Sequence, residues 1–132
     1  MSSIFTKIIN GEIPSFKVEE SNNFVAFLDA FPLKEGHTLI VPKREVDDYF
    51  DLTDQELGEM VLFSKRIAKA IKLAFPCEKV SVSVIGLEVP HAHMHLIPIN
   101  TMDECNFANK KLKIKEQRML EICSLIKGKL TN

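Results

Sequence analysis

The stretch VPHAHMHLIP, residues 89–98, places three of the chain's four histidines at every second position. Side chains two residues apart share one face of a β-strand. The spacing therefore predicts a strand that carries His91, His93 and His95 on one face. The apolar residues that alternate with them would face a hydrophobic core: Ala92, Met94 and Leu96. We expect one face of this strand to pack and the other to do chemistry.

The composition is that of an ordinary soluble domain. A chain of 132 residues is long enough for one domain with its own core. The net charge of −1 argues against a nucleic-acid partner, and no apolar run reaches the roughly 18 residues that would span a membrane. Three widely spaced cysteines without a C-x-x-C pair, and an N-terminus unlike a signal peptide, predict a reduced, cytoplasmic setting.

Hydrophobic periodicity and capping residues predict an α+β fold, an antiparallel sheet with one long crossover helix. Thr53 and Glu56 form a capping box, and Pro76 ends the helix that follows. Its predicted inner face is Leu57, Met60, Val61, Ser64, Ile67, Ala68 and Ile71. Besides the histidine strand, the other elements are helices at 3–9 and 114–127, the latter capped by Gly128, and strands at 17–19, 24–28, 37–42 and 79–86.

The densest basic run, KKLKIK at residues 110–115, leads into the last predicted helix. We interpret this run as a solvated surface, with a phosphate-binding patch as the alternative.

Three histidines in register allow four interpretations. They can be a structural or solvent-exposed cluster, or metal ligands, since neutral imidazole is the commonest metal ligand. They can catalyse covalent chemistry on phosphorus, in which one imidazole attacks and its other ring nitrogen is held by an acceptor. Finally, the same scaffold can bind a nucleotide without catalysis. The spacing alone leaves these four open.

The segment HAHMHLI, residues 91–97, resembles the H-φ-H-φ-H-φ-φ motif of the histidine triad (HIT) superfamily, where φ is an apolar residue. The upstream blocks IFTKIINGEIPSFKV and FVAFLDAFPLKEGHTLIVPK also resemble that family in their order along the chain. The resemblance implies a HIT-like fold with a sheet of about five strands. It further implies a single HIT domain over residues 1–132, with a core at 1–100 and a C-terminal extension with a helix at 101–132.

The resemblance is nearest to the small Hint-like nucleotide hydrolases and transferases. It implies a homodimer that needs no cofactor and acts at the α-phosphate of a nucleoside monophosphate derivative, with a purine as the expected base. Phosphoramidates, acyl-adenylates and dinucleoside polyphosphates are the expected substrates. In this family pattern His93 is the nucleophile that forms a nucleotidyl intermediate, His95 contacts the phosphate, and His91 orients the nucleophile. The alternative is a nucleotide-binding regulatory module with little turnover.

The resemblance also implies the substrate-binding residues. Asp29 matches the acid that holds the ribose hydroxyls, and His37 is expected to support the site. The positions around the base are Phe5, Ile8, Phe27 and Leu39. The loop beside the phosphate carries Gly86, Glu88 and Val89, and departs from the family pattern at Glu88. Glu88 can act as a general acid if its pKa is raised; we favour the alternative, in which it points outward and pairs with a lysine.

Many relatives in this family carry a structural zinc ion, and we expect none here. The corresponding positions hold Ser3, Thr6, Glu45 and His91, so both thiolates are replaced by neutral hydroxyls, which are poor zinc ligands. We expect Ser3 to cap the first helix and Glu45 to accept a hydrogen bond from His91.

Overall fold

The computed structural model describes residues 2–131 and contains one five-stranded sheet with three α-helices. The helices are α1 (Ile4–Ile9), α2 (Asp54–Ala74) and α3 (Glu116–Lys127). The strands are β1 (Lys17–Glu20), β2 (Phe24–Leu28), β3 (Thr38–Pro42), β4 (Lys79–Ser83) and β5 (Met94–Ile99). Single 3-10 turns lie at Tyr49–Asp51 and Met102–Cys105.

The sheet is antiparallel throughout, with the strand order β1-β2-β3-β5-β4. Helix α2 makes the long connection between β3 and β4. The α+β fold predicted from the sequence is therefore confirmed. Among residues 2–131, no helix is both long and apolar enough to cross a membrane.

The histidine strand is shorter than predicted, because β5 begins only at Met94. His91 and His93 lie in the segment before it, so the prediction of three histidines within one strand is wrong. The cause is the end of β3 at Pro42, which has no N–H to continue the ladder. The Pro42 carbonyl instead accepts a hydrogen bond from the His91 ring, and Ala92 N–H donates to Val46 O.

Alternation along the strands divides the apolar residues between the two faces of the sheet. In β2, Ala26 and Leu28 belong to the larger core, which α2 and α3 cover. Val25 and Phe27 belong to a smaller cluster on the opposite face, which includes Phe5 of α1. The apolar residues that alternate with the histidines lie in the larger core, as predicted: Ala92, Met94 and Leu96. The histidine rings are thereby directed to the α1 face.

The ends of the helices follow their sequence signals. The Thr53 hydroxyl accepts from Glu56 N–H, and the Glu56 carboxylate accepts from Thr53 N–H, which confirms the capping box. Within α2 the prediction for Val61 is wrong, since this side chain is 51% exposed, while Phe63 and Ala70 are buried instead. The last helix begins two residues later than predicted and is capped by Gly128.

Candidate functional site

The centre of the site is the pair His93 and His95, whose ring centroids are 4.9 Å apart in an edge-on arrangement. Phe5 from α1 packs against the other side of His93, with its ring centroid also at 4.9 Å. The two histidines are nearly buried, with 5% and 9% of their surface exposed. Apolar and aromatic neighbours therefore remove most of the water from both imidazoles.

The partners of His91 fix the position of its proton. Its Nε2 lies 2.8 Å from Pro42 O, which can only accept, so Nε2 carries the hydrogen. Its Nδ1 then has the lone pair and accepts from the Ser3 hydroxyl at 2.6 Å. The backbone carbonyl of His91 accepts in turn from Nδ1 of His93 at 2.7 Å. His93 therefore carries its hydrogen on Nδ1, which leaves the lone pair on Nε2.

A second chain of hydrogen bonds orients His95. Leu33 N–H donates to Nδ1 of His37 at 3.0 Å, so the hydrogen of His37 must be on Nε2. That Nε2 lies 2.9 Å from Nδ1 of His95 and donates to it. His95 then carries its own hydrogen on Nε2. The sequence predicted a supporting role for His37, and the hydrogen bond shows how this residue supports His95.

Two ring nitrogens stand out once these bonds are assigned. Across residues 2–131, six of the eight ring nitrogens of the four histidines have a partner within the protein. The other two are Nε2 of His93, with a lone pair, and Nε2 of His95, with an N–H. The site thus presents one nucleophile and one hydrogen-bond donor on neighbouring rings.

Burial keeps all four imidazoles neutral near pH 7. Desolvation is the largest cause in each case, because it disfavours the charged form. It lowers the pKa of His95 to about 4 and that of His37 to about 3, with smaller contributions from neighbouring positive charge. It also lowers the pKa of His93 and of His91, although hydrogen bonds to backbone carbonyls act in the opposite direction. A neutral His93 retains the lone pair that attack requires.

Asp29 lies beside this second chain of hydrogen bonds. One carboxylate oxygen accepts from Phe31 N–H at 2.9 Å, and the other lies 3.4 Å from Nε2 of His37. Burial raises the pKa of Asp29 above its usual value, while the hydrogen bond from Phe31 acts against this shift. Part of the carboxylate is still open to solvent, as a ribose-binding role would require.

Asp29, His37 and His95 also bring three potential metal ligands together, with one ligand atom from each within 4.8 Å of the others. A neutral imidazole has a single lone pair. In His37 that lone pair accepts from Leu33 N–H, and in His95 it accepts from His37. Neither ring therefore has a lone pair to give to a metal ion in this arrangement, which argues against the metal interpretation of the histidines.

The residues expected around the base come together on the α1 face. Phe5, Phe27 and Leu39 form part of one buried apolar cluster, and Ile8 and Val89 pack against it. The Phe5 and Phe27 rings meet edge-on at 5.6 Å. This cluster adjoins His93 through Phe5, so an apolar wall stands next to the candidate nucleophile.

The loop before the histidines turns at Gly86, whose φ of +71° favours glycine. Val89 O accepts from His91 N–H, which ties the end of the loop to the site. Glu88 is exposed, as the favoured interpretation requires. Within residues 2–131, however, no ion pair includes Glu88, so the expected pairing with a lysine is not observed.

The four positions that match the zinc site of relatives also come together, held by hydrogen bonds. The Glu45 carboxylate accepts from Ser3 N–H at 2.7 Å and from the Thr6 hydroxyl at 2.6 Å. Ser3 caps α1 as predicted, since its hydroxyl accepts from Thr6 N–H. The predicted bond between Glu45 and His91 is wrong, because the Ser3 hydroxyl takes the His91 ring nitrogen instead.

Two residues of the site were not predicted from the sequence. Phe107 packs edge-on against His95 with a centroid distance of 4.8 Å, and Lys111 donates to Phe107 O at 2.6 Å. Lys111 belongs to the basic run that we interpreted as a solvated surface, and it is instead half-buried. The sequence offered a phosphate-binding patch as the alternative for the whole run and did not single out Lys111.

Comparison with known proteins gives a consistent result. A family model described as HIT domain matches residues 10–102. The adenosine 5′-monophosphoramidase of Saccharomyces cerevisiae is 44% identical over 96 residues, which cover 72% of this chain and 61% of the yeast protein. The alignment thus spans less than two thirds of that enzyme.

Solved structures agree over nearly the whole chain. A HIT-like protein from Bartonella henselae, described as involved in cell-cycle regulation, superposes with a TM-score of 0.85 at 29% identity, covering 98% of this chain and 97% of that chain. A zinc-bound histidine triad family protein from Mycobacterium smegmatis gives a TM-score of 0.83 at 25% identity, covering 98% and 93%.

Proposed function

Because this chain belongs to the HIT domain family, we propose that it cleaves nucleotides at the α-phosphate through a covalent intermediate on His93. The single observation that carries the proposal is a pair of ring nitrogens that have no partner among residues 2–131, a lone pair on His93 and an N–H on His95. One of its relatives with a named activity is the yeast adenosine 5′-monophosphoramidase.

The proposed reaction has two displacements at phosphorus. Nε2 of His93 attacks the α-phosphorus, a P–N bond forms, and the bond to the leaving group breaks as that group takes up a proton from solvent. The N–H of His95 donates to a phosphate oxygen, where negative charge develops. Water then attacks phosphorus and loses a proton to solvent, the P–N bond breaks with its electron pair returning to Nε2 of His93, and the nucleoside monophosphate leaves.

The other proposed contacts of the nucleotide combine the family resemblance with the residues that surround this pair. Asp29 accepts from the ribose hydroxyls, since one carboxylate can bind two of them. The base lies against the apolar cluster that contains Phe5 and Phe27. The backbone carbonyl of His91 holds the His93 ring in the attacking tautomer.

Trapping of the intermediate tests the proposal. Wild-type protein and a His93→Ala variant are mixed with radiolabelled adenosine 5′-phosphoramidate and quenched within milliseconds. The wild type should retain label that is labile to acid and stable to alkali, as a phosphoramidate is, at up to one label per chain. The variant should retain none while still binding AMP. Equal labelling of both proteins would refute the assignment of His93.

One observation favours a second candidate, a nucleotide-binding module with little turnover. His93 and His95 are nearly buried, which limits the access of a second substrate or water. Steady-state turnover separates the candidates, since a binding module would bind AMP and hydrolyse no member of a panel of phosphoramidates, acyl-adenylates and dinucleoside polyphosphates.

We also propose a homodimer formed through β4 and α2. β4 is an edge strand, and such edges readily pair with another strand. Val82 on this strand is 58% exposed, and the apolar side chains that follow it are exposed as well: Val84, Ile85 and Leu87. The outer side of α2 adds Leu62 and Leu73, both exposed. A second copy would cover these surfaces, and twofold dimers are the commonest oligomers.

Light scattering at micromolar concentration tests the dimer. The wild type should have twice the chain mass, and Val82→Lys should shift it toward the monomer. Leu120→Lys is the matched control, because Leu120 is similarly exposed, at 54%, but lies on α3. A monomer mass for the wild type would refute the proposal.

A further inference from the structure

The segment after β5 forms one wall of the site, although it lies almost wholly outside the region that the HIT family model matches. Leu112 N–H donates to Pro32 O at 2.8 Å, and Lys34 pairs with Glu104. These bonds tie both ends of the segment to the loop that follows β2. Between them, the Phe107 ring packs against His95.

Lys111 is the charged group of this wall. Its ammonium donates to Phe107 O at 2.6 Å and more weakly to Asn109 O at 3.5 Å. An ammonium has three donors, so one is left for a further partner. Among residues 2–131, no carboxylate lies within ion-pair distance of Lys111, whereas Lys17, Lys34 and Lys43 each have one. Lys111 is thus a half-buried cation that forms no ion pair with the described residues.

The position of Lys111 is at the His95 end of the site. The ammonium lies 5.6 Å from the centroid of the Phe107 ring, which itself contacts His95. Its positive charge contributes to the lowered pKa of His95 and opposes the raised pKa of Asp29, so it acts on both groups. A neutral imidazole pair and a carboxylate supply no positive charge of their own, which leaves Lys111 to attract an anion here.

We propose that Lys111 binds a second phosphate group of the nucleotide, separate from the α-phosphate that His93 and His95 hold. The inference rests on the proposed nucleotide site and makes Lys111 a determinant of substrate choice. Two sources can supply the second phosphate: a polyphosphate leaving group attached to the α-phosphate, or a phosphate on a ribose hydroxyl near Asp29. Both present a multiply charged anion to an ammonium that has a free donor.

Calorimetry tests this role with AMP and with two ligands that carry one phosphate more, ADP and adenosine 3′,5′-bisphosphate. In the wild type, at least one of the two larger ligands should bind more tightly than AMP. Lys111→Gln should weaken that ligand by about tenfold or more, the value of one charge-assisted hydrogen bond, and should leave AMP within about twofold. Lys111→Arg, which keeps the charge, should recover much of the affinity.

Lys110→Gln is the matched control, because it removes the same charge from the exposed neighbouring residue. It should leave all three affinities within about twofold. If Lys111→Gln loses affinity for ADP alone, the second phosphate belongs to the leaving group. If it loses affinity for the bisphosphate alone, the second phosphate belongs to the ribose.

The proposal would be overturned if Lys111→Gln weakened the binding of all three ligands equally, or if Lys111→Gln and Lys110→Gln had equal effects. It would also be overturned if the wild type bound neither ADP nor the bisphosphate more tightly than AMP. Wild-type protein that binds no AMP would overturn the nucleotide site and the role of Lys111 together. If AMP binds but no intermediate is trapped on His93, the proposed reaction fails while the result for Lys111 still stands.

Discussion

Acidification should destabilise this protein already at pH values above those at which carboxylates titrate, because its histidines are buried in the neutral form. An unfolded histidine has a pKa near 6.5, whereas the folded pKa is about 3 for His37 and about 4 for His95. Since the folded values lie below the unfolded value, the stabilising contribution is complete above pH 6.5. It is lost as the pH falls, because the unfolded chain then binds protons that the folded chain does not.

The size of the effect follows from these values. At pH 5.5 each unfolded histidine is about nine-tenths protonated, while folded His37 and His95 stay neutral, so unfolding takes up nearly two protons at these residues. The free energy of unfolding should therefore fall by about 2.5 kcal/mol for each pH unit lost. His91 and His93, whose pKa values burial also lowers, add to the slope in the same direction.

Urea unfolding at a series of pH values from 5 to 6.5 measures this slope. His37→Gln should reduce it by about 1.2 kcal/mol per pH unit, since one histidine no longer titrates. Ile122→Val is the control, because it lowers stability by about 1 kcal/mol at a fully buried site without a titratable group. Burial raises the pKa of Asp29 above its ordinary value of 3.8, so the folded chain takes up this proton first and Asp29 reduces the measured slope. An unchanged slope in His37→Gln would refute the reasoning.

Two further predictions concern the cluster around Ser3. Ser3→Ala removes the helix cap and the hydroxyl that donates to His91, so the free energy of unfolding in urea should fall by about 1–2 kcal/mol. Ser2→Ala is the control, because Ser2 is exposed and one residue earlier, and it should leave the free energy of unfolding unchanged. Metal analysis of untagged protein should find zinc far below one ion per chain, because hydroxyls replace the thiolates, whereas a variant with Ser3→Cys, Thr6→Cys and Glu45→His should bind zinc. Stoichiometric zinc in the wild type that survives chelation would contradict this expectation.

The sequence predicted the fold well because its signals are local. The capping box at Thr53 and the helix-capping glycine Gly128 each act over a few residues, and the structure contains them where expected. The apolar residues expected around the base lie together because alternation in β2 and β3 directs Phe27 and Leu39 to the α1 face. Their roles toward a nucleotide are still predictions.

The hydrogen bonds of the site could not be predicted in the same way, because they join distant parts of the chain. Ser3 and His91 are 88 positions apart, and His37 and His95 are 58 apart. No periodicity in the sequence predicts that Ser3 would bond to both Glu45 and His91 and so take the place of a direct bond between them. Lys111 was missed for a related reason, since charge patterning alone cannot distinguish a solvated lysine from one that folds back over a site.

The buried hydrogen-bond chain that makes the protein sensitive to acid also fixes the tautomer of His95, and two substitutions at His37 separate these effects. Either His37→Gln or His37→Leu removes one titrating group and should reduce the pH slope equally. Only Gln retains an N–H that can donate to Nδ1 of His95, which keeps the hydrogen of the His95 ring on Nε2 of that ring. With an adenosine phosphoramidate as substrate, His37→Leu should therefore lower kcat by about tenfold or more beyond His37→Gln, the effect of one misplaced donor at the developing charge. Equal turnover in the two variants would show that the tautomer of His95 does not depend on His37.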